Sequence, residues 1–464
     1  MRALSRSTGI AILFSSFGAL MAVTQNAKGS NSVAGSWDAS LTSHGVVIPF
    51  RLDIAGSGPN LKGIFFDGFR PYDGTTSATF QDGKLVLKVD HYLTTITATL
   101  KDGQLVGNMV SQSRGSTAEY AFQARRHVDG TNTPADVPSI AGSWIIPLDN
   151  PSSKGEKAFR LIVQQHGAEV AASILRVDGD TGAYSGTFKD GKWVLSHFDG
   201  SRPGVIEVSQ AKDGTLEILQ TSARPQPAAV QDDASTKDNQ TAGSTNTTKP
   251  YAQDVTGSRY VSKLVAYRAD VAQAKGLPQP EDYDTHTKVR DPHEKFTFSF
   301  PDVNGKLVSN EDSRFKGKVV LAIVTGTWCP NCHDEAQYLV QLDKKYRAKG
   351  LAIVALDFEE PEQQKGLERQ RAFVKKYGVR YTYLIAGAPS DIGEKLPQLV
   401  NLNTWPATIF VGRDGLVKGV HSGFASPASG QFNKELQKDF TVKIEQLLAQ
   451  EATQNRAAAT APAN

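Results

Sequence analysis

Cysteine is almost missing from this 464-residue chain: there are two, three positions apart, in "TGTWCPNCHDEA" at 325–336. So small a supply excludes a framework of structural disulfides. It also leaves any structural zinc site two ligands short, and no closely spaced histidine pair follows His333 to complete one. A bridge between Cys329 and Cys332 would itself be a poor staple, because closing so short a loop removes little chain entropy. Charge is equally uninformative: the net charge is +3, and no Lys or Arg block interleaved with aromatics points to a nucleic-acid partner. Long hydrophobic runs are scarce too. After Arg2 and Arg6, "GIAILFSSFGALMAV" is short and rich in Ser and Gly for a membrane span, and it reads as an export signal ending near Ala22 or Ala27. No cysteine lies in or just after it to carry a lipid. The expectation is a signal peptide over 1–27 and a periplasmic or secreted chain with no stable membrane span once the signal is removed.

What is present divides the chain. Its length calls for two to four domains of roughly 100–200 residues, and the N-terminal half repeats itself. "VAGSWDASL" at 33–41 returns as "IAGSWIIPL" at 140–148, and "SATFQDGKLVLK" at 77–88 returns as "SGTFKDGKWVLS" at 185–196, an offset of roughly 107 residues. Short alternating segments joined by Asp-Gly turns predict a meander of antiparallel strands, so each copy is an all-β barrel or sandwich that shields its edges. The Gly-Ser-Trp opening each copy resembles the Gly-x-Trp of lipocalin-like barrels, though Trp37 and Trp144 serve equally as core fillers. Residues 226–257 are Ser, Thr, Asn, Asp and Gln-rich and read as disordered. Yet "STAEYAFQARRH", which ends the first copy, has no counterpart before residue 226, whereas "SRYVSKLVAYRAD" at 258–270 matches it in kind. This places β module 1 over 32–128 and β module 2 over 138–270, with 226–257 as a loop inserted before a closing strand at 260–268.

The C-terminal third carries the chemistry. "KVVLAIVTG" is a continuous apolar, β-branched run suited to a buried parallel strand. Pro330 then fits the first position of a helix whose Ala336, Leu339, Leu342 and Tyr346 recur at helical spacing. The cysteines therefore stand at a strand-to-helix turn, where free backbone N–H groups and the helix dipole favour a thiolate. Cys329 is expected to be the exposed nucleophile, and Cys332, one turn on, the thiol that resolves a mixed disulfide. "LAIVALD", "YTYLIAG" and "ATIFVGRDGLVKGVHSG" supply further strands, the last a hairpin turning at Arg413–Asp414–Gly415. A final helix lines up Phe432, Leu436, Phe440, Ile444 and Leu447.

Together "FSFPDVNGKLVSNEDSRFKGKVVL", "TWCPNC" and "TWPATIFVGRDG" resemble the TlpA/ResA-like family of exported thioredoxin-fold oxidoreductases, grouped with AhpC/TSA-like domains. The resemblance covers about 295–450 and implies an α/β thioredoxin fold behind the duplicated all-β modules, with 271–294 as linker and 451–464 as disordered tail. It implies catalysis by Cys329 and Cys332 without a cofactor or metal, on a disulfide-containing protein substrate, with an upstream thiol donor. Trp328, Trp405 and a cis-Pro406 would face the pair and hold the substrate chain in extended pairing. Where many thioredoxin-fold proteins bury an acid, six residues before the first cysteine, this chain has Ile323. The resemblance then directs the proton-relaying acid to the end of the next strand, to Glu360, with Glu359 as second choice. No positive charge lies between the cysteines, which favours a reductant or thiol relay over an oxidant. Two alternatives stand beside this reading: a thiol peroxidase of the AhpC/TSA type, although Gly326 occupies the place of that family's peroxide-binding Thr, and a partner-binding β protein with an accessory redox domain.

Overall fold

The computed structural model describes residues 32–113, 116–128, 137–222, 252–253, 260–360 and 365–459. The expected signal peptide, most of the expected inserted loop and the last five residues lie outside these. Two all-β antiparallel sheets precede a thioredoxin-like α/β domain.

The first module is a curled nine-stranded sheet in which Gly35–Ser43 lies between Val46–Ala55 and Ser116–Arg126. Its two end strands, Arg70–Gly74 and Ser77–Gln81, follow one another in the chain but do not pair, so it remains a half-barrel. The second module closes. Tyr260–Arg268 pairs with Leu216–Ser222 on one side and, through Trp144↔Arg268 and Ile145↔Tyr267, with Gly142–Pro147 on the other, completing a ring of eight strands.

The duplication persists in atomic detail. Trp37 Nε1 donates to Val33 O and Trp144 Nε1 to Ile140 O, both at 2.9 Å. The guanidinium of Arg126 lies 4.0 Å over Trp37, and that of Arg268 lies 4.0 Å over Trp144. Both indoles are fully buried core fillers. The glycine two residues earlier leaves room for the cation: a Cβ on Gly142 would stand 2.9 Å from Arg268 Nη1, and Gly142 also has φ +120. Each arginine is thus one end of a Gly-x-Trp clasp at the mouth of its module.

The modules are not beads on a string. Phe198, from the turn after Lys192–His197 of the second module, inserts into the core of the first, its ring 4.7 Å from Phe50 and 5.2 Å from Phe65. The open half-barrel is thereby plugged by its duplicate. Leu175 of the second module belongs in the same way to the core of the α/β domain.

That domain has a five-stranded sheet in the order Thr382–Gly387, Leu351–Phe358, Val319–Thr325, Ala407–Val411, Val417–Ser422, with the first three parallel and the hairpin antiparallel. The central strand Val319–Thr325 is buried at every position, as its unbroken apolar run requires. The final helix buries Leu436, Phe440, Ile444 and Leu447 against one face of the sheet.

Two expectations need correction. The stretch 271–294 is not a free tether: it begins inside a short helix, Ala269–Ala274, and Lys288–Val289 pairs with Leu399–Val400, while His286 and Thr287 bond to Asn403 and Asn401. Buried polar contacts of this kind fix the segment onto the α/β domain. The last helix runs Gln431–Ala459, well past residue 451 where a tail was expected. "RAAA" there has high helix propensity, which composition read as disorder had discounted.

Candidate active site

The buried strand Val319–Thr325 delivers the chain to a tight turn, and the helix Pro330–Tyr346 starts with proline at its first position. Cys329 is the N-cap. Its Sγ accepts the N–H of Cys332 at 3.3 Å and donates to Trp405 O at 3.2 Å. The thiols are not joined to each other. Burial, then the neighbouring Cys329, holds the Cys332 thiol well above the usual range. Cys329 Sγ thus lies at the helix N-terminus against a backbone N–H, whereas its buried partner is placed to keep its proton.

The Trp405–Pro406 bond is cis, and Pro406 O accepts from Gly423 N at 2.8 Å. Trp328 anchors its indole on Phe358 O at 2.9 Å and leans on Trp405, ring centroids 5.6 Å apart. Both tryptophans are half-buried and flank Cys329 on one side. A side chain at 326 would lie 2.5 Å from Trp328 Nε1 and 2.9 Å from Phe358 O, so a peroxide-binding Thr has no space there.

The structure corrects the expected exposure of Cys329. It is 3% exposed against 1% for Cys332, so both are buried. Both β modules pack on the helix that carries the pair. The loop between Glu169–Leu175 and Tyr184–Lys189 sits on the first turn of the active-site helix: Asn331 Nδ2 donates to Asp178 O at 2.6 Å, and Asn331 Oδ1 accepts from Thr181 N at 2.8 Å. From the first module, Tyr72 donates its hydroxyl to Asp334 at 2.9 Å, and His91 and Tyr92 pack on His333 with centroids 4.6 and 5.1 Å away. Carboxyls of Asp67, Asp180 and Asp334, one from each unit, meet at this junction. Burial pushes all three up, Asp180 to about 6.

The acids named from the sequence follow the strand Leu351–Phe358. Glu360 is half-buried at the end of its strand. Glu359 is fully buried but is occupied in holding the turn, accepting from Thr327 N and, at 3.0 Å, from Thr327 Oγ1. The carboxyl whose charge bears on Cys332 is Glu335, one helical turn further on. It is 1% exposed, and its Oε1 accepts from Thr408 Oγ1 at 2.6 Å while Oε2 has no hydrogen-bond partner. Burial pushes its pKa up to about 8. A spacing of three residues on a helix already places Glu335 beside Cys332, and that signal was available in "CHDE".

A protein-family model described as Redoxin matches residues 288–436. Thiol-disulfide oxidoreductase ResA of Bacillus thuringiensis (strain Al Hakam) is 32% identical over 120 residues, 26% of this chain. Its namesake from Bacillus thuringiensis subsp. konkukian is 29% identical over 147 residues, covering 32% of this chain and 74% of its own. The matched stretch spans 62% of the length of the first of these relatives. Among solved structures, a thiol:disulfide interchange protein of Chlorobium tepidum TLS aligns over 35% of this chain and 99% of its own at 22% identity, with a TM-score of 0.25. The C-terminal region of this chain, residues 288–436, is a Redoxin domain of the TlpA/ResA-like thioredoxin-fold family.

Proposed function

We propose that the chain is an exported thiol-disulfide oxidoreductase that reduces or relays protein disulfides through Cys329 and Cys332. The observation that carries this is the placing of Cys329 Sγ: it caps a helix, takes the N–H of Cys332, and faces the carbonyl that precedes the cis-proline. The curated relatives of the domain are named as thiol-disulfide oxidoreductases, which supports the same reading. Export rests on the N-terminal sequence; among the described residues no helix is long and apolar enough to cross a membrane.

In the first step the Cys329 thiolate attacks one sulfur of the substrate disulfide, forming a mixed disulfide and releasing the other sulfur as a thiolate that takes a proton from water. Trp405 O and its neighbouring backbone offer strand-like hydrogen bonds to an extended substrate segment, with Trp328 as an apolar wall. In the second step Cys332 passes its proton to the Glu335 carboxylate and attacks Cys329 Sγ. The Cys329–Cys332 disulfide forms, the second substrate sulfur leaves as a thiolate that takes a proton from water, and the dithiol product carries two electrons that have moved from protein to substrate. An upstream thiol donor returns them. The sulfurs carry the whole redox change, so no cofactor enters.

Burial pushes the Glu335 carboxyl up to about 8, which makes its carboxylate a stronger proton acceptor, while burial also holds the proton on Cys332. A Cys332→Ala variant tests the scheme, because it can attack but cannot resolve. Incubated with extract from the exported compartment or with a purified disulfide protein, it should accumulate a covalent adduct at Cys329 that dithiothreitol releases. Absence of any adduct from a folded variant would remove Cys329 as the nucleophile.

A further inference from the structure

Resting on the thiol-disulfide reading, we propose that the loop Asp178–Gly182 of the second β module is the specificity-determining element of the thiol site. Clasped on Asn331, it closes the helix side of Cys329, so that small or extended disulfides enter past Trp328 and Trp405 while disulfides within bulky folded surfaces are refused.

Asn331 stands between the two cysteines, and both ends of its amide are taken by the loop's backbone: Asp178 O accepts from Nδ2 and Thr181 N donates to Oδ1. One donor and one acceptor on a neutral side chain match a backbone C=O and N–H, which a charged or apolar residue would not do. The grip does not end there. Gly179 forms a parallel bridge with Phe424, and the Asp180 carboxylate accepts from Ser426 at 2.9 Å and from Ser429. The loop is therefore fastened to the helix on one side of the thiols and to the segment after Val417–Ser422 on the other.

The approach is backbone to backbone. A Cβ on Gly179, whose φ is +113, would fall 2.3 Å from Phe424 O and 2.6 Å from Asn331 Nδ2. Facing it, a Cβ on Gly423 would fall 2.4 Å from Val177 O. Only glycine on both surfaces permits this contact.

The loop also holds its shape from its own side. Arg176 and Gly179 exchange two backbone hydrogen bonds of 3.0 Å, and Lys154 pairs with Asp178. It is a preformed clasp rather than a segment that happens to rest on the helix. With this side closed and Tyr72 on Asp334 covering the flank, the half-buried Trp328 and Trp405 mark the side that remains.

The test uses the full chain in its reduced form. Rates of reduction are measured for a small aromatic disulfide, 5,5′-dithiobis(2-nitrobenzoate), and for a disulfide-bonded globular protein. The wild type is compared with Gly179→Val, which wedges the clasp open, and Asp180→Ala, which removes its serine bonds. Both variants should raise the globular-substrate rate by at least about tenfold, the change that follows from losing a contact worth about 1.4 kcal/mol. The small-disulfide rate should change less than about twofold.

A second measurement needs neither variant: in a Cys332→Ala chain, polyethylene glycol maleimide should label Cys329 far more slowly than N-ethylmaleimide, which carries the same reactive group, does. An unchanged ratio of globular to small substrate in the folded variants, or equal labelling by the large and small reagents, overturns the proposal. A folded wild type that reduces neither disulfide instead sinks the thiol-disulfide reading, and the labelling comparison still decides whether the loop closes the site.

Discussion

Glu335→Gln is expected to slow disulfide exchange by about 10²-fold or more at neutral pH, within the range that a positioned general base contributes. The glutamine keeps the shape of the side chain and can still accept from Thr408, so what is lost is proton acceptance from Cys332. The pH dependence gives the effect a signature. Only the ionised carboxylate can take the proton, and burial holds its pKa at about 8. The wild-type rate should therefore rise from pH 6 and level off above about 8, and the variant should lack that inflection.

Stability provides a second readout with the opposite slope. Between 4.5 and about 8 the folded chain retains a proton on Glu335 that the unfolded chain has released. The stability linked to this group is complete below 4.5 and is lost as pH rises through about 8. Urea midpoints should accordingly fall less steeply with pH for Glu335→Gln than for wild type. Single-turnover kinetics between pH 6 and 9 would settle the matter, since matching profiles in the two proteins would take Glu335 out of the mechanism.

Trp144→Ala is expected to cost about 3–5 kcal/mol, a large part of the 5–15 kcal/mol that usually holds a domain together. The indole is fully buried, its N–H is bonded to Ile140 O, and Arg268 lies across its face. Its backbone also forms the pair with Arg268 that closes the eight-stranded ring. Truncation thus opens a cavity beneath the seam of the barrel and strips the cation of its platform. Because this module supplies Phe198 to the first module and the Asp178–Gly182 loop to the thiol site, loosening it should also increase labelling of Cys329. Denaturant unfolding followed by tryptophan fluorescence measures the loss, and a change under about 1 kcal/mol would refute the account of the clasp.

How much of this was legible in the sequence varied with the range of the interaction. The turns of the modules were readable because Asp-Gly pairs and two-residue alternation are local signals. The central strand and the helix start were readable because an unbroken apolar run and Pro330 each have one usual meaning at that place. The closing strand of the second module was readable at 260–268 from comparison of the two copies, but whether the first module closed was not. Nothing in the alternation distinguishes a ring from a half-barrel, and the first module's open core is filled by Phe198, roughly 150 residues beyond Phe50, through an inter-module contact that no local pattern encodes.

At the site, the resemblance pointed to Glu360, and Glu335, which stands three residues beyond Cys332 and so beside it on any helix, was passed over. The contacts of the β modules with the active-site helix were out of reach, since only the tertiary structure brings Thr181 and Tyr72 to it.

The late arrival of Tyr260–Arg268 also bears on how the molecule is made. Trp144 finds its partner in Arg268 roughly 120 residues later in the chain, a high contact order that slows folding. At translation rates of about 5–20 residues per second, that separation corresponds to roughly 6–24 s during which the seam of the second barrel has no partner strand. In the first module the corresponding pairing, Trp37↔Arg126, closes after roughly 90 residues, a shorter wait. The nascent chain therefore passes through a stage with one sheet complete and a second still presenting the edges of Gly142–Pro147 and Leu216–Ser222. Unpaired edges at that stage invite pairing with other chains. A holding chaperone, or slower synthesis at low temperature, should raise the yield of soluble protein more for this chain than for its C-terminal domain.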